Sequence, residues 1–163
     1  MSTIEKKSLK VGKYVNTEHV DQVISTYKRE RWAHSSKRIG KEDSLSAWWS
    51  VEEMEAYLER AKTNGANGVR IYFGAYSEDF AEVPEFAGRQ TLVMVATKTK
   101  RVDGKLAHKE IYITGENGTP TILAYNMPNI CPPFCQPPPP GGLGKTNSVG
   151  VTLIEGEDGM SVI

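Results

Sequence analysis

The sequence predicts an α+β fold, a two-layer sandwich in which two helices pack on one face of a mostly antiparallel sheet of five to six strands. Three observations carry this. Two stretches before residue 64 space their apolar residues as one helical face does. Several later stretches alternate apolar and polar residues and are separated by turn residues such as Asp103-Gly104. A chain of 163 residues suits one domain, 1–163, with enough buried surface to need no covalent staple.

The first helix is expected from Asn16 or Thr17, either of which can cap it, with Val20, Val23, Ile24 and Tyr27 on one face, to about Trp32. Residues 33–47 are polar and unperiodic and read as a connection. The second helix is the best marked. Ser50-Val51-Glu52-Glu53 spells a capping box, Trp49 and Met54 suit a hydrophobic staple, and Val51, Met54, Leu58 and Ala61 keep helical spacing as far as Thr63. Asn64-Gly65 then supplies residues that tolerate a left-handed end.

From Gly68 to Tyr76 the apolar Val69, Ile71, Phe73 and Ala75 alternate with Arg70, Tyr72 and Gly74, the pattern of a strand with two unlike faces. Thr91 to Thr99 is apolar on both sides in its middle, as a central strand is. Asp103-Gly104 turns it into a hairpin with Glu110–Thr114. Thr121–Tyr125, Val149–Glu155 and a closing hairpin through Glu157-Asp158-Gly159 to Met160–Ile163 complete the strands.

Between these strands lies a long Pro/Gly-rich loop, 126–147, which holds both cysteines and six of the nine prolines in Asn129–Lys145. Proline removes a backbone donor and fixes φ, so this stretch is expected to stay outside helix and central strand. Gly144-Lys145-Thr146 ends like a phosphate-binding loop, yet the position of its first glycine falls on Pro139, and no helix pattern follows. Nucleotide binding is therefore not expected.

Cys131-Pro-Pro-Phe-Cys135 is the better chemical candidate. Two thiolates could ligate zinc or iron, with His19, His34 or His108 completing the set, although one pair at this spacing is a weak metal signature. The thioredoxin-type motif has two intervening residues, not three. No apolar run resembles a signal or a membrane span, which points to the cytoplasm and against a lasting disulfide. Without a secretory route, Asn117-Gly-Thr119 is a turn rather than a glycosylation site.

Lys plus Arg equals Asp plus Glu at 20 each, so no overall field draws nucleic acid or an anionic membrane. The basic residues from Lys28 to Lys41 are broken by Glu30, and the acidic run Glu52 to Glu59 suits a helix start. No Ser-His-Asp or Cys-His set can be assembled from three scattered histidines.

Adjacent tryptophans in extended backbone face opposite ways, so Trp49 on the helix side leaves Trp48 pointing elsewhere. The expectation is a non-enzymatic binding or assembly module without a cofactor. It presents Trp48, Phe134, Pro137 and Pro138 to a protein partner or to a second copy, as a homo-oligomer. The alternative is a small metal- or thiol-dependent enzyme built on Cys131 and Cys135.

Overall fold

The computed structural model describes residues 9–136 together with two later strands, Leu153–Gly156 and Gly159–Val162. Helix α1 (Thr17–Tyr27) is capped by Asn16, whose side chain accepts from the His19 amide at 2.9 Å. It does not stop at Trp32. The helix widens into a π turn over Lys28–Trp32 and continues as α2 (Ala33–Ile39), ending at Gly40, whose φ of 73° is the left-handed cap that glycine adopts freely. The expected connection over residues 33–47 is thus half helix. Its buried residues are none, so no apolar stripe announces it, and its anchor is polar instead.

That anchor is Asp43, which is buried. Its Oδ1 accepts from the amides of Ser44 (2.8 Å) and Gln90 (2.6 Å), and its Oδ2 accepts from the Ser35 hydroxyl. Its own amide donates to Ser36 Oγ at 2.9 Å, while its carbonyl accepts from Trp32 Nε1 at 2.7 Å. One carboxylate therefore ties the helical end to the sheet, and every lone pair it uses meets a donor.

Helix α3 spans Val51–Thr63 as predicted. The Ser50 hydroxyl accepts from the Glu53 amide at 3.0 Å, and the Glu53 carboxylate accepts from the Ser50 amide at 3.0 Å. The Ser50 amide chiefly, with the Tyr125 hydroxyl, holds Glu53 below the ordinary carboxylate range. Gly65, with φ of 87°, follows the helix end.

Around the three-residue strand β1 (Ser46–Trp48) and the long β3 (Gln90–Val102) the sheets assemble. One edge of β3 pairs antiparallel with β2 (Gly68–Ala75). Its other edge is shared by two strands in succession: β4 (Lys105–Glu110) covers Thr97–Val102, and β7 (Ala124–Tyr125) covers Met94 and Val95. At the changeover, β5 (Tyr112–Thr114) and β6 (Pro120–Ile122) peel away as their own hairpin. A ring of three backbone bonds closes the branch point. Ile111 N donates to Ala96 O (2.9 Å), Ala96 N to Leu123 O (3.0 Å) and Leu123 N to Ile111 O (2.9 Å).

Two further pairs stand apart, β1 with β8 (Asn129–Cys131) and β9 (Leu153–Gly156) with β10 (Gly159–Val162), both antiparallel. The strands thus form a four-stranded sheet with two-stranded companions. Strand β8 falls inside the Pro-rich stretch, where regular structure was not expected; it fits because the paired residues Asn129–Cys131 lie between Pro128 and Pro132.

Paired residues of antiparallel strands share a face, so Val69, Ile71 and Phe73 lie on the side of Leu92, Met94 and Ala96. The core packs there: Trp49, Tyr57 and Ala61 meet Met94, Ala96 and Leu123. The Tyr57 hydroxyl donates to Leu123 O at 3.1 Å, the same carbonyl that the ring uses. Gln90 shares this face by alternation and takes a hydrogen bond from Tyr27, so α1 meets the same side as α3. The second apolar cluster joins Phe86, Ile130 and Phe134.

Two predictions follow from these anchors. Replacing Ser50 with alanine is expected to lower unfolding free energy by about 1 kcal/mol, and replacing it with aspartate to be nearly neutral. Because the folded Glu53 titrates below its unfolded value, its contribution is present above the unfolded pKa and fades as pH falls through the folded one. Urea melts of Glu53→Gln, which removes the titrating carboxylate, should converge with wild type on acidification, whereas the loss in Ser50→Ala, which keeps the Ser50 amide, should largely persist. Asp43→Ala strands buried donors and is expected to destabilise by about 3 kcal/mol, with Asp43→Asn losing less; equal melts for both variants would refute the clasp.

Candidate binding surfaces

Within the described part of the Pro-rich loop, Cys131 and Cys135 are joined as a disulfide, with Cα atoms 4.7 Å apart. The sequence argued against a lasting disulfide without deciding between free thiols, a disulfide and ligands, and the structure has the disulfide. In this state neither sulfur is a thiolate that a metal could take. His19 lies in α1, His34 in α2 and His108 in β4, so the sequence-proposed ligands belong to separate elements. Among the described residues, no three His, Cys, Asp or Glu side chains gather as a metal site.

Phe134 was expected as the loop's exposed contact side chain, and the structure corrects this too. At 7% exposure it packs edge-on against Phe86, with ring centroids 5.7 Å apart. The cause is local. Phe134 N donates to Ile130 O at 3.0 Å and the disulfide closes the turn, so the ring is folded back over Ile130. Trp48 does face outward, 51% exposed, while its neighbour Trp49 turns inward against Tyr125. Pro137 and Pro138, like the Gly141–Thr146 stretch, lie outside the described residues.

The two faces of β2 offer unlike surfaces. Towards α3 it presents Ile71 at 49% exposure and Phe73 at 83%. Helical spacing places Val51, Met54 and Leu58 on one flank of the buried Tyr57–Ala61 line, while Glu53 lies on the other flank and accepts from Tyr125 of β7 at 2.9 Å. Since β7 and β2 lie on opposite edges of β3, the Val51–Leu58 flank looks towards β2. All five apolar side chains are exposed.

Strand β2 also carries a free edge, having β3 as its one strand neighbour among the described residues. Tyr76 N bonds to Arg89 O at 3.0 Å and continues the β2–β3 register. Alternation from there aims the even residues of β2 at β3 and leaves the N–H and C=O groups of Val69, Ile71 and Phe73 pointing outward.

On the opposite face, Arg70 and Tyr72 converge on Glu110. The Tyr72 hydroxyl donates to the carboxylate at 2.6 Å, Arg70 makes an ion pair with it, and a second guanidinium nitrogen donates to His108 O at 3.0 Å. The Tyr72 hydroxyl, with the guanidinium, holds Glu110 below the ordinary carboxylate range. Beside this cluster opens a cleft of about 470 Å³, floored by Gly68, Thr97 and Thr99 and bounded by Arg101, Leu106 and His108.

The loop geometry yields a prediction. Phe134→Ala is expected to cost about 3 kcal/mol or more, because the ring is buried against Phe86 and Ile130. Cys131→Ser with Cys135→Ser should leave a folded protein weakened by about 2 kcal/mol, the loop-closure entropy of so short a loop. Denaturation of Phe134→Ala with no loss of stability would contradict the packing. As to kinship, no family model matches the chain, and no curated protein or solved structure matches it significantly.

Proposed function

We propose that this chain is a non-enzymatic assembly module that pairs with a second copy of itself through the free edge of β2. The carrying observation is an eight-residue edge strand with Ile71 and Phe73 exposed beside an apolar helix flank. Proteins that remain monomeric blunt such edges with proline, lysine, bulges or inward charges. Strand β2 has none of these. Its one charge, Arg70, stands on the other face and is engaged by Glu110.

A second copy suits the edge on three counts. Equal positive and negative charge gives no net self-repulsion. A two-fold axis at Ile71 lets the outward backbone groups of Val69, Ile71 and Phe73 bond to those of the other copy, with Phe73 against Val69 on the apolar face. The same register puts Arg70 opposite Tyr72 of the second copy, a cation beside an aromatic ring on the polar face. Closed in this way, the pair has no β2 edge left for a third chain.

The disulfide supports a working environment in which thiols are oxidised rather than the reducing cytoplasm that the sequence suggested. No helix among the described residues is long and apolar enough to cross a membrane.

Light scattering coupled to size exclusion tests the pairing. The wild-type chain is expected to run as a dimer at tens of micromolar, and Phe73→Asp, which alters an exposed side chain, as a folded monomer of nearly unchanged melting temperature. A monomeric wild type at that concentration, or a dimer indifferent to both Phe73→Asp and Ile71→Lys, rules out this interface.

A further inference from the structure

The geometry points to the cleft on the opposite face of the sheet as a site for a small amphiphilic anion, an organic carboxylate with a short apolar chain. Its volume of about 470 Å³ falls within the roughly 300–1,000 Å³ of small-molecule sites. This inference is independent of self-association.

The charge in the cleft is unevenly spent. Arg70 is neutralised by Glu110, and its guanidinium orientation is fixed by Tyr72 Oη at 3.1 Å and by His108 O. Arg101 has no carboxylate within ion-pair distance among the described residues; one of its nitrogens donates to Gly104 O at 2.9 Å, which steadies the group and leaves its other donors available. A guanidinium held in this way can take a carboxylate through two parallel bonds. Thr99 Oγ1 lies 2.9 Å from His108 Nδ1, adding a hydroxyl and a ring to the polar end.

Apolar side chains supply part of the remaining lining, beside Asn67 and Thr97. Leu106 stands across from Arg101 in the β3–β4 ladder, and Leu9 of the N-terminal segment also lines the cleft. A ligand with only charge would leave these side chains in water, and one with only hydrocarbon would leave Arg101 unpaired. The floor is kept open by Gly68, where a Cβ would come within 3.0 Å of Thr97 Oγ1.

Octanoate is the probe, titrated into the isotopically labelled full chain and followed by amide NMR. Saturable shifts are expected at Thr97, Thr99 and His108, about tenfold weaker in Arg101→Gln, and retained in Phe73→Asp whatever its oligomeric state. Octyltrimethylammonium, of the same chain length and opposite charge, should give none at these residues. Absence of saturable shifts, equal binding by Arg101→Gln, equal binding of the cationic probe, or shifts confined to α3 and the β2 edge would each overturn the assignment.

Discussion

The carbonyl of Leu123 is the point on which the two layers depend. It accepts from Ala96 N within the ring of backbone bonds at the strand branch and from the Tyr57 hydroxyl of α3. A buried carbonyl has two lone pairs, and here one is given to the sheet and the other to the helix. The ring itself resolves a conflict. Strand β3 is longer than either neighbour on that edge, so β4 must yield to β7, and a bare exchange would orphan the amides of Ala96, Ile111 and Leu123 at a buried position. Each donates instead to the next. The departing β5–β6 hairpin keeps contact with the core through Ile113.

This anchor also decides where the apolar surface lies. Tyr57 and Glu53 draw α3 towards the β7 side through Leu123 O and Tyr125. Tyr125 sets its ring, tilted, 5.7 Å from Tyr57 and 6.4 Å from Trp49 under that flank. Helix α3, held over one edge, leaves the other uncovered at Ile71 and Phe73. Ile71 and Phe73 are therefore left uncovered by the same contacts that make the core, and the open β2 edge is a consequence of the anchor. On stability grounds alone an exposed phenylalanine gains nothing, which is why its position argues for an occupant.

Much of this was legible in the sequence, for reasons that differ by element. Helix α3 was readable end to end because its cap, its apolar spacing and its Asn64-Gly65 stop are all local signals. The length of α1 and α2 was not, since residues 33–39 bury nothing and are held by Asp43, a contact that spacing does not encode. Thr121–Tyr125 read as one strand because alternation runs through Leu123, whereas the change of partner there is set by the length of β3. Phe134 was misread for a related reason. A loop rich in proline looks solvent-exposed until the disulfide and the Ile130 carbonyl turn it back upon Phe86. The alternation of β2 displayed both of its surfaces, but edge or interior is a property of the sheet, so alternation put Ile71 and Phe73 on the apolar face without showing that they stay exposed.

The polar cluster on β2 has a role that its energy would not suggest. A partly exposed ion pair contributes little to stability, and Arg70–Glu110 is of that kind. Register is another matter. A slip of one residue in β2 would turn every side chain to the other face, placing Arg70 and Tyr72 under α3 and Ile71 and Phe73 in the cleft. Because the apolar face of β2 is only half covered, burial alone specifies its register weakly. The convergence of Arg70, Tyr72 and Glu110 on one face, with Gly68 admitting Thr97 at close range, supplies what burial does not. The polar contact on one face of β2 is therefore also what holds the residues of its apolar face in position.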